Sequence, residues 1–516
     1  MERKQNGPSD RRYANYVLFV LTIVYVLNFV DRQILSILAN DVKRDLHLTD
    51  ADIGFLFGTA FGVFYSLFGI PLGRLADGWS RVKLMTVGLA LWSAMTAFSG
   101  LARSGAQLTL ARMGVGVGEA TASPCAYSLL SDYFPKERRA TALAIYSSGI
   151  FIGGGLSLFL GGAIAEHWDR AFPGGSWGIV GWQAAFLSVG LPGLLIALWV
   201  ATLREPIRGS MDGIVTKTLS PHPFRNFLGE LLTIIPPLTL IGAARRGNRA
   251  LSINLIVLVI VSAVVAALIG ITHTPAQWIA VGGGSYAIFS WASALRHRDP
   301  PAFRLIWGTP AFLYVAIGYG LIAFVAYGIS VFAAPYAESI LGQNKTTIGL
   351  FLGGGAAAGG FIGIVCGGRV ADALKQRKPW GRIPVIMVGA VGPVIPLIVA
   401  FTTTDVTLFY ILAFFLQMLG SCALGATAAT VQDLVLPRMR GTATATFFLA
   451  TTLIGLALGP YMAGFVSTVT GSLRTGILSL LVVAPVAITL LILAWRSVPA
   501  AEASVVERAR AAGEPV

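Results

Sequence analysis

The sequence predicts an all-α polytopic membrane protein, built as two sets of six spans with an extra two-span hairpin between them. Three observations point to it. Of the 516 residues, 55% are hydrophobic and only 12% charged, against about 25% charged in soluble domains, and the mean hydropathy is +0.73. Apolar runs of about 20 residues, the length that crosses a bilayer, recur along the chain. Loop motifs of the first set of runs also return in the second. A soluble chain of this length would split into several domains with polar surfaces. There is too little charge to cover them, which excludes an ordinary soluble enzyme, a nucleic-acid binder and a disordered chain.

The first set of runs lies near 14–38, 52–73, 83–102, 106–130, 140–166 and 182–203. The second lies near 306–334, 346–370, 383–402, 406–430, 441–468 and 475–495. Two further runs, near 251–271 and 276–294, stand between the sets and bring the expected total to about 14 spans. A weaker run near 227–243 carries Glu230 and Pro236-Pro237 and reads as a helix lying on the membrane surface. The first run is too long for a signal peptide and is followed by no small-residue cleavage site, so it is expected to stay as the first span. The expected units are a terminal segment 1–13, a six-helix unit 14–203, a linker 204–305 with the hairpin at about 251–294, a six-helix unit 306–495 and a tail 496–516.

The net charge of +14 is explained by where the cations fall. About thirty Lys and Arg lie in the termini and the loops on their side, among them Arg11, Arg12, Arg74, Arg81, Lys83, Arg138, Arg208, Lys217, Arg298, Arg369, Arg382 and Arg438. The alternate loops hold about six, namely Lys43, Arg44, Arg103, Arg170, Lys345 and Arg474. This bias predicts both termini in the cytoplasm, and with the lean loops it suits a bacterial inner (plasma) membrane. Cys125, Cys366 and Cys422 sit in apolar runs with no disulfide or zinc spacing. The five histidines are scattered, and no metal site or other cofactor is expected.

An internal repeat joins Gly73-Arg74-Leu75-Ala76-Asp77 to Gly368-Arg369-Val370-Ala371-Asp372. A second echo joins Asp132, Pro135, Arg138 and Thr141 to Asp433, Pro437, Arg440 and Thr442. Such repeats mark secondary transporters, with a substrate site near mid-membrane between the halves.

At these residues the sequence resembles the major facilitator superfamily. Gly73-x-x-x-Asp77-x-x-x-Arg81-x-Lys83 is similar to its loop signature between the second and third helices, with Gly78 where a basic residue is common and Ser80 where glycine is common. Arg112-x-x-x-Gly116-x-Gly118 resembles its fourth-helix arginine motif. Gly149, Gly153, Gly154, Gly155, Gly161 and Gly162 resemble its glycine-rich fifth helix, although the usual Gly-Pro pair stands instead at Gly459-Pro460. Within the superfamily, Asn28-Phe29-Val30-Asp31-Arg32, Gly116-Val117-Gly118-Glu119-Ala120 and Arg440-Gly441-Thr442-Ala443 resemble the Spinster branch. The resemblance covers nearly all of 14–500, apart from the insert at about 245–298. It implies the major facilitator fold, two six-helix bundles that rock about a central site.

Charges within spans cost about 2.5–3.5 kcal/mol each on insertion scales, so Asp31, Arg32, Arg112 and Glu119 are the leading site candidates. Arg112 and Glu119, two turns apart, share a helix face about 10 Å along the axis. The adjacent Asp31 and Arg32 diverge by about 100° and each needs another partner. The resemblance implies that Asp31 and Glu119 are protonatable and that Arg32 and Arg112 are their partners. A carboxylate that loses and regains its arginine would load and release a proton. A static ion pair that fixes helix register and direct contact with a substrate headgroup are the alternatives.

The resemblance further implies a cytoplasmic latch of Gly73, Asp77, Arg81, Arg138 and Asp372 that stabilises the outward-facing state; simple positive-inside charge is the alternative. The second half carries no acid within its spans, only Glu338 near an outer end, and offers aromatics instead. Asn28, Tyr319 and Phe447 are candidate cavity residues, although aromatics in spans are more often packing or interface anchors.

The expected activity is proton-coupled alternating-access transport of an amphipathic molecule, with lysolipids or sphingoid phosphates suggested by the resemblance. Another organic anion, a drug, or uncoupled uniport is the alternative. The expected partners are the bilayer, protons and a small amphipathic substrate, and the protein is expected to work as a monomer. No Walker-type motif is present, which argues against ATP-driven transport. A membrane-embedded enzyme would need a catalytic cluster at one face, and a channel is disfavoured by the two-fold repeat.

Overall fold

The computed structural model describes residues 8–209, 211 and 222–515; Lys217 of the charge pattern lies outside them. In a bilayer every backbone N–H and C=O needs an internal partner, which long apolar segments achieve as helices. The described residues are helices and turns, apart from an isolated bridge between Ser176 and Ile179.

The first half comprises α1 (Pro8–Leu46), α2 (Asp50–Gly78), α3 (Arg81–Ser99), α4 (Gly105–Glu119), α5 (Ala122–Tyr133), α6 (Lys136–Ala171) and α7 (Gly181–Ala201). Between the halves lie α8 (Pro223–Ile234), α9 (Leu238–Arg245), α10 (Asn248–Thr272), α11 (Pro275–Arg298) and α12 (Pro300–Ile306). The second half comprises α13 (Pro310–Ser339), α14 (Lys345–Arg377), α15 (Ile383–Ala400), α16 (Val406–Asp433), α17 (Pro437–Thr470) and α18 (Leu473–Ala503), with α19 (Val505–Ala511) in the tail. Side-chain caps start several of them: Ser80 on α3, Ser104 on α4, Asp405 on α16 and Ser472 on α18.

Twelve of these helices are long and apolar enough to cross a membrane. Two of the fourteen expected runs fall outside that set. The run expected at 106–130 is broken into α4 and α5 at Ala120–Thr121, and it carries Arg112 and Glu119. The run expected at 276–294 is α11, whose 24 residues reach about 36 Å but include Gln277, Ser290 and the terminal Arg296-His297-Arg298. The helix expected on the surface near 227–243 forms as α8 and α9, bent by 98° at Pro236-Pro237, where the missing N–H groups interrupt a helix.

The sequence repeat is also a structural one. A π-helical turn interrupts α2 at Phe55–Thr59 and α14 at Gly349–Gly353, the same offset as the glycine-loop echo to within a residue. Arg81 pairs with Asp132 at the foot of the first half, and Arg382 with Asp433 at the foot of the second.

The halves meet most closely at the end remote from the chain termini. There Ser36 donates to the carbonyls of Ser330 and Val331, both at 2.8 Å, Asn40 donates to Glu338 at 2.7 Å, and Thr59 donates to the Ala457 carbonyl at 2.7 Å. Glycine permits this approach. A Cβ on Gly54 would lie 2.3 Å from the Pro460 oxygen, and one on Gly155 would lie 2.6 Å from that of Gly353. Lys345 completes the closure, with Nζ 2.8 Å from both Asp41 of α1 and Glu338 of α13.

Candidate functional site

Asp31 and Arg32 lie near the middle of α1, beside the break between α4 and α5. The break places Glu119 at the last turn of α4, where Thr121 turns back to bond the Gly118 carbonyl through its N–H and hydroxyl. Gly116 and Gly118 let α4 approach its neighbours, since a Cβ on either would lie within 3 Å of the backbone of α2 or α3.

Arg32 donates from Nη2 and Nε to one oxygen of Glu119, at 2.8 and 3.3 Å. Its guanidinium also lies over three rings, 4.7 Å from the centroid of Phe29, 4.6 Å from Phe61 and 5.1 Å from Tyr65, a setting that suits a weakly hydrated planar cation. Tyr327 of α13 is an electrostatic neighbour of Arg32, so the pair faces the second half. Arg112 does not reach a carboxylate. It donates to the backbone carbonyls of Asp31 and Arg32, at 3.1 and 3.5 Å, and so holds the chain that carries the first pair.

Asp31 is fully buried, and its oxygens face the Trp92 N–H and the Thr96 hydroxyl of α3 without completing a hydrogen bond of good geometry to either. Asn28 is buried next to Glu119, whose second oxygen is also unpartnered. The four charged residues singled out in the sequence therefore form one buried cluster, and it lies within the first half.

The other candidates do not join it. Tyr319 and Phe447 pack on each other at 5.2 Å between ring centroids. Phe447 has no exposed surface, whereas its neighbour Phe448 is exposed. Both candidates thus serve the packing of the second half. At the terminus end, Arg81 is bonded to Asp132 at 2.5 Å, to Glu205 at 2.8 Å, and to Ser128 and the Pro206 carbonyl. Asp77 and Arg138 are exposed, and Asp77 makes no ion pair with Arg81. Arg208 bonds the carbonyls of Ala76 and Trp79, both at 2.6 Å, around the Asp77 turn. Asp372 pairs with Arg382 at 3.2 Å and stays within its own half.

Several residues were missed in the sequence. Trp92 and Thr96 look like ordinary span residues until α3 is placed against Asp31. Asp41 fell beyond the expected end of the first span, although α1 runs on to Leu46. Glu205 and Arg208 lie just after α7, where a charge reads simply as a loop charge. Burial alone would raise the Glu205 carboxyl, but the Val82 N–H together with Arg81 and Ser80 holds it below its usual range.

A family model described as Major Facilitator Superfamily matches residues 21–380 and 315–516. An MFS-type efflux pump of Mycolicibacterium smegmatis is 26% identical over 463 residues, 90% of this chain and 86% of that protein. Protein spinster homolog 1 of Xenopus tropicalis is 22% identical over 477 residues, 88% of this chain and 73% of that one. Among solved structures, a bacterial homolog of the human lysosomal transporter Spinster, in an inward-facing and unoccupied conformation, superposes with a TM-score of 0.67 at 26% identity. That match covers 96% of this chain and 98% of the other. A D-xylose–proton symporter, at 16% identity and a TM-score of 0.61, covering 95% of this chain and 99% of that one, shares the fold.

Proposed function

Starting from a chain that belongs to the major facilitator superfamily and is a transporter of the Spinster type, we propose that it couples proton movement to the transport of an amphipathic anion by alternating access. The lysolipid or sphingoid-phosphate class fits best. The observation that carries this reading is the buried cluster of Arg32, Glu119 and Asp31 within the first half, which faces the second half through Arg32. A charged carboxylate with no hydrogen bond is costly to bury, and a neutral carboxyl much less so. A proton on Asp31 therefore lowers the cost of the state described here. A proton on Glu119 would release Arg32, whose guanidinium then becomes available to an anionic headgroup. Each acid thus has a reason to bind and lose a proton as the halves rock.

The far-end closure, with the terminus end more loosely joined, corresponds to an inward-facing state if the termini are cytoplasmic, as the charge bias proposes. In that state Asp77 is free of Arg81, in keeping with a latch that forms only when the terminus end closes. On this reading the protein is a monomer in a plasma membrane. Export of a drug or another organic anion is the second reading, favoured by the relative named an MFS-type efflux pump.

The experiment is proton and substrate flux in proteoliposomes holding the purified protein, with lysolipids, sphingoid phosphates and unrelated organic anions compared. Substrate-driven proton flux, lost in Asp31→Asn or Glu119→Gln, is the expected result. Substrate movement with no proton flux in any variant would make the charges structural and the protein a uniporter.

A further inference from the structure

The inserted hairpin has no counterpart in the internal repeat, and its two helices are placed very differently. The outer helix, α10, buries only Ala250 and Asn254 and exposes Leu255, Val259 and Ile271, as a lipid-facing helix does. The inner helix, α11, buries Gln277, Val281, Ala287, Trp291 and Leu295. It lies along the flank where α2 of the first half faces α17 of the second.

One position touches both halves at once. A Cβ on Gly284 would stand 3.1 Å from the Leu453 side chain on α17 and 3.4 Å from Val63 on α2. Towards the far end, Gln277 reaches the Ala457 carbonyl at 3.5 Å, the same oxygen that accepts from Thr59 of α2. Thr274 also shares a hydrogen bond of 2.6 Å with the Tyr461 hydroxyl. Towards the terminus end, Ala287, Trp291 and Leu295 join Val63 and Leu67 of α2 and Phe312 of α13 in one apolar core. There Arg298 bonds Glu230 of α8 at 2.7 Å, and Arg74 of α2 lies 3.4 Å from the same oxygen. The next residue, Asp299, bonds Arg438 of α17. The helix is therefore fastened along the whole length of one flank.

The opposite flank, where α6 faces α14, receives neither helix of the hairpin. These two touch at Gly155 and Gly353, and where Phe151 meets Gly360. Nearer the terminus end, Ile145 on α6 and Phe361 and Ile362 on α14 are exposed.

We propose that α11 is a flank seal, which closes the α2–α17 side of the cleft to the bilayer and leaves the α6–α14 side as the portal for a substrate's acyl chain. The inference rests on the amphipathic-substrate reading. Each methylene taken into water adds to the hydrophobic cost, so a single-chain lipid crosses most cheaply with its headgroup at Arg32 and its chain still in the membrane. That path needs a side opening. A basic two-bundle plan has two candidate flanks, and in this chain one of them is filled.

The test uses the full chain in proteoliposomes with two probes, each bearing a photoreactive diazirine at the end of an acyl chain. One is a lysophospholipid and the other an ordinary bilayer phospholipid; adducts are mapped by mass spectrometry alongside lysophospholipid flux. Both probes should label α6 and α14 near Ile145, Phe361 and Ile362 several-fold more than α2 and α17 near Val63 and Leu453. Trp291→Ala combined with Leu295→Ala should bring labelling to Leu67 and Leu453, with thermal unfolding checked to show that the fold persists. Equal labelling of both flanks in the unmodified protein overturns the seal. Lysophospholipid flux with neither flank labelled by the lysolipid probe overturns the portal. Flank-selective labelling by the phospholipid without lysophospholipid flux refutes the substrate reading and leaves the seal standing.

Discussion

Lys345 at the start of α14 lies 2.8 Å from Asp41 at the far end of α1, an ion pair that ties the two halves together where they close. Its ammonium is shared with Glu338 of α13, also at 2.8 Å. Asp41 is almost entirely buried, and its charge is met by this lysine and, at 3.3 Å, by the exposed Arg44 one turn along α1. Opening the far end must separate Lys345 from Asp41, and the pair acts as a stay on the closed state. Losing both partners of a buried charge costs about 3–5 kcal/mol; with Arg44 left beside Asp41, losing the lysine alone should cost about 1–2 kcal/mol. Lys345→Met should therefore shift the population toward a far-open state. Ser36 offers a readout, since it is buried between α1 and α13. In a background lacking the three native cysteines, Ser36→Cys should react with an impermeant maleimide added from the far side about tenfold faster once Lys345 is replaced, each factor of ten being about 1.4 kcal/mol. An unchanged rate would show that the apolar and glycine contacts alone hold the closure.

Arg32→Lys should abolish most transport while leaving the protein folded. The guanidinium gives two donors to one Glu119 oxygen and presents its flat face to Phe29, Phe61 and Tyr65. An ammonium keeps the charge but loses the planar fit. Loss of one charge-assisted hydrogen bond is worth about 1.5–3 kcal/mol, which predicts a fall in initial uptake of about tenfold or more. Uptake into proteoliposomes and thermal unfolding in detergent should be read together. Full uptake in the lysine variant would mean that point charge alone suffices at this position.

The large outline was legible in the sequence because its causes are local. Apolar runs make spans, and the glycine loops repeat at a fixed offset that the π-helical turns of α2 and α14 reproduce. Arg32 and Glu119 stood out because charge is rare within spans, and the fold brings them together. What was not legible depends on where helices end and which faces meet. Asp41 was read as lying beyond its span because hydropathy marks the apolar stretch, while the hydrogen-bonded helix continues past it. Phe447 was a fair cavity candidate by type, but helix rotation buries it and exposes Phe448. Arg81 was expected to answer Asp77, and instead answers Asp132 and Glu205. The preference for Glu205 arises from a linker whose path no periodicity describes. The position of α11 across the α2–α17 flank likewise has no signature in its own sequence.

Glu205 should stabilise the protein in a pH-dependent way. Its carboxyl lies below the usual carboxylate range in the folded protein: burial acts to raise it, and the Val82 N–H, Arg81 and Ser80 more than reverse that. A depressed folded value means the stabilisation is complete above the unfolded value of about 4.3 and is lost as pH falls through the folded one. Glu205→Gln should thus unfold at a lower temperature than the unmodified protein at pH 7, by an amount that stays constant down to about pH 5 and shrinks below about pH 4. Thermal unfolding of the two proteins in one detergent across that range measures it. A difference that grew on acidification would carry the opposite sign and refute the assignment.

The internal repeat supplies its own control for the foot of each half. Arg81 and Arg382 occupy equivalent positions and bond equivalent aspartates, Asp132 and Asp433. Their surroundings differ. Arg81 has no exposed side-chain surface and also bonds Glu205, Ser128 and the Pro206 carbonyl, whereas Arg382 is partly exposed and adds only Asp372. Replacing Arg81 by Gln takes the cation away from the buried Asp132, which keeps the Gly209 N–H, and should cost about 3 kcal/mol, the low end for a buried pair. At Arg382, water can reach the remaining carboxylates, and the cost should be about 1 kcal/mol. Arg81→Gln should therefore lower the unfolding temperature and the yield of folded protein far more than Arg382→Gln. Equal losses would mean that the aspartate pair common to both halves, and not the burial peculiar to Arg81, sets the strength of the joint.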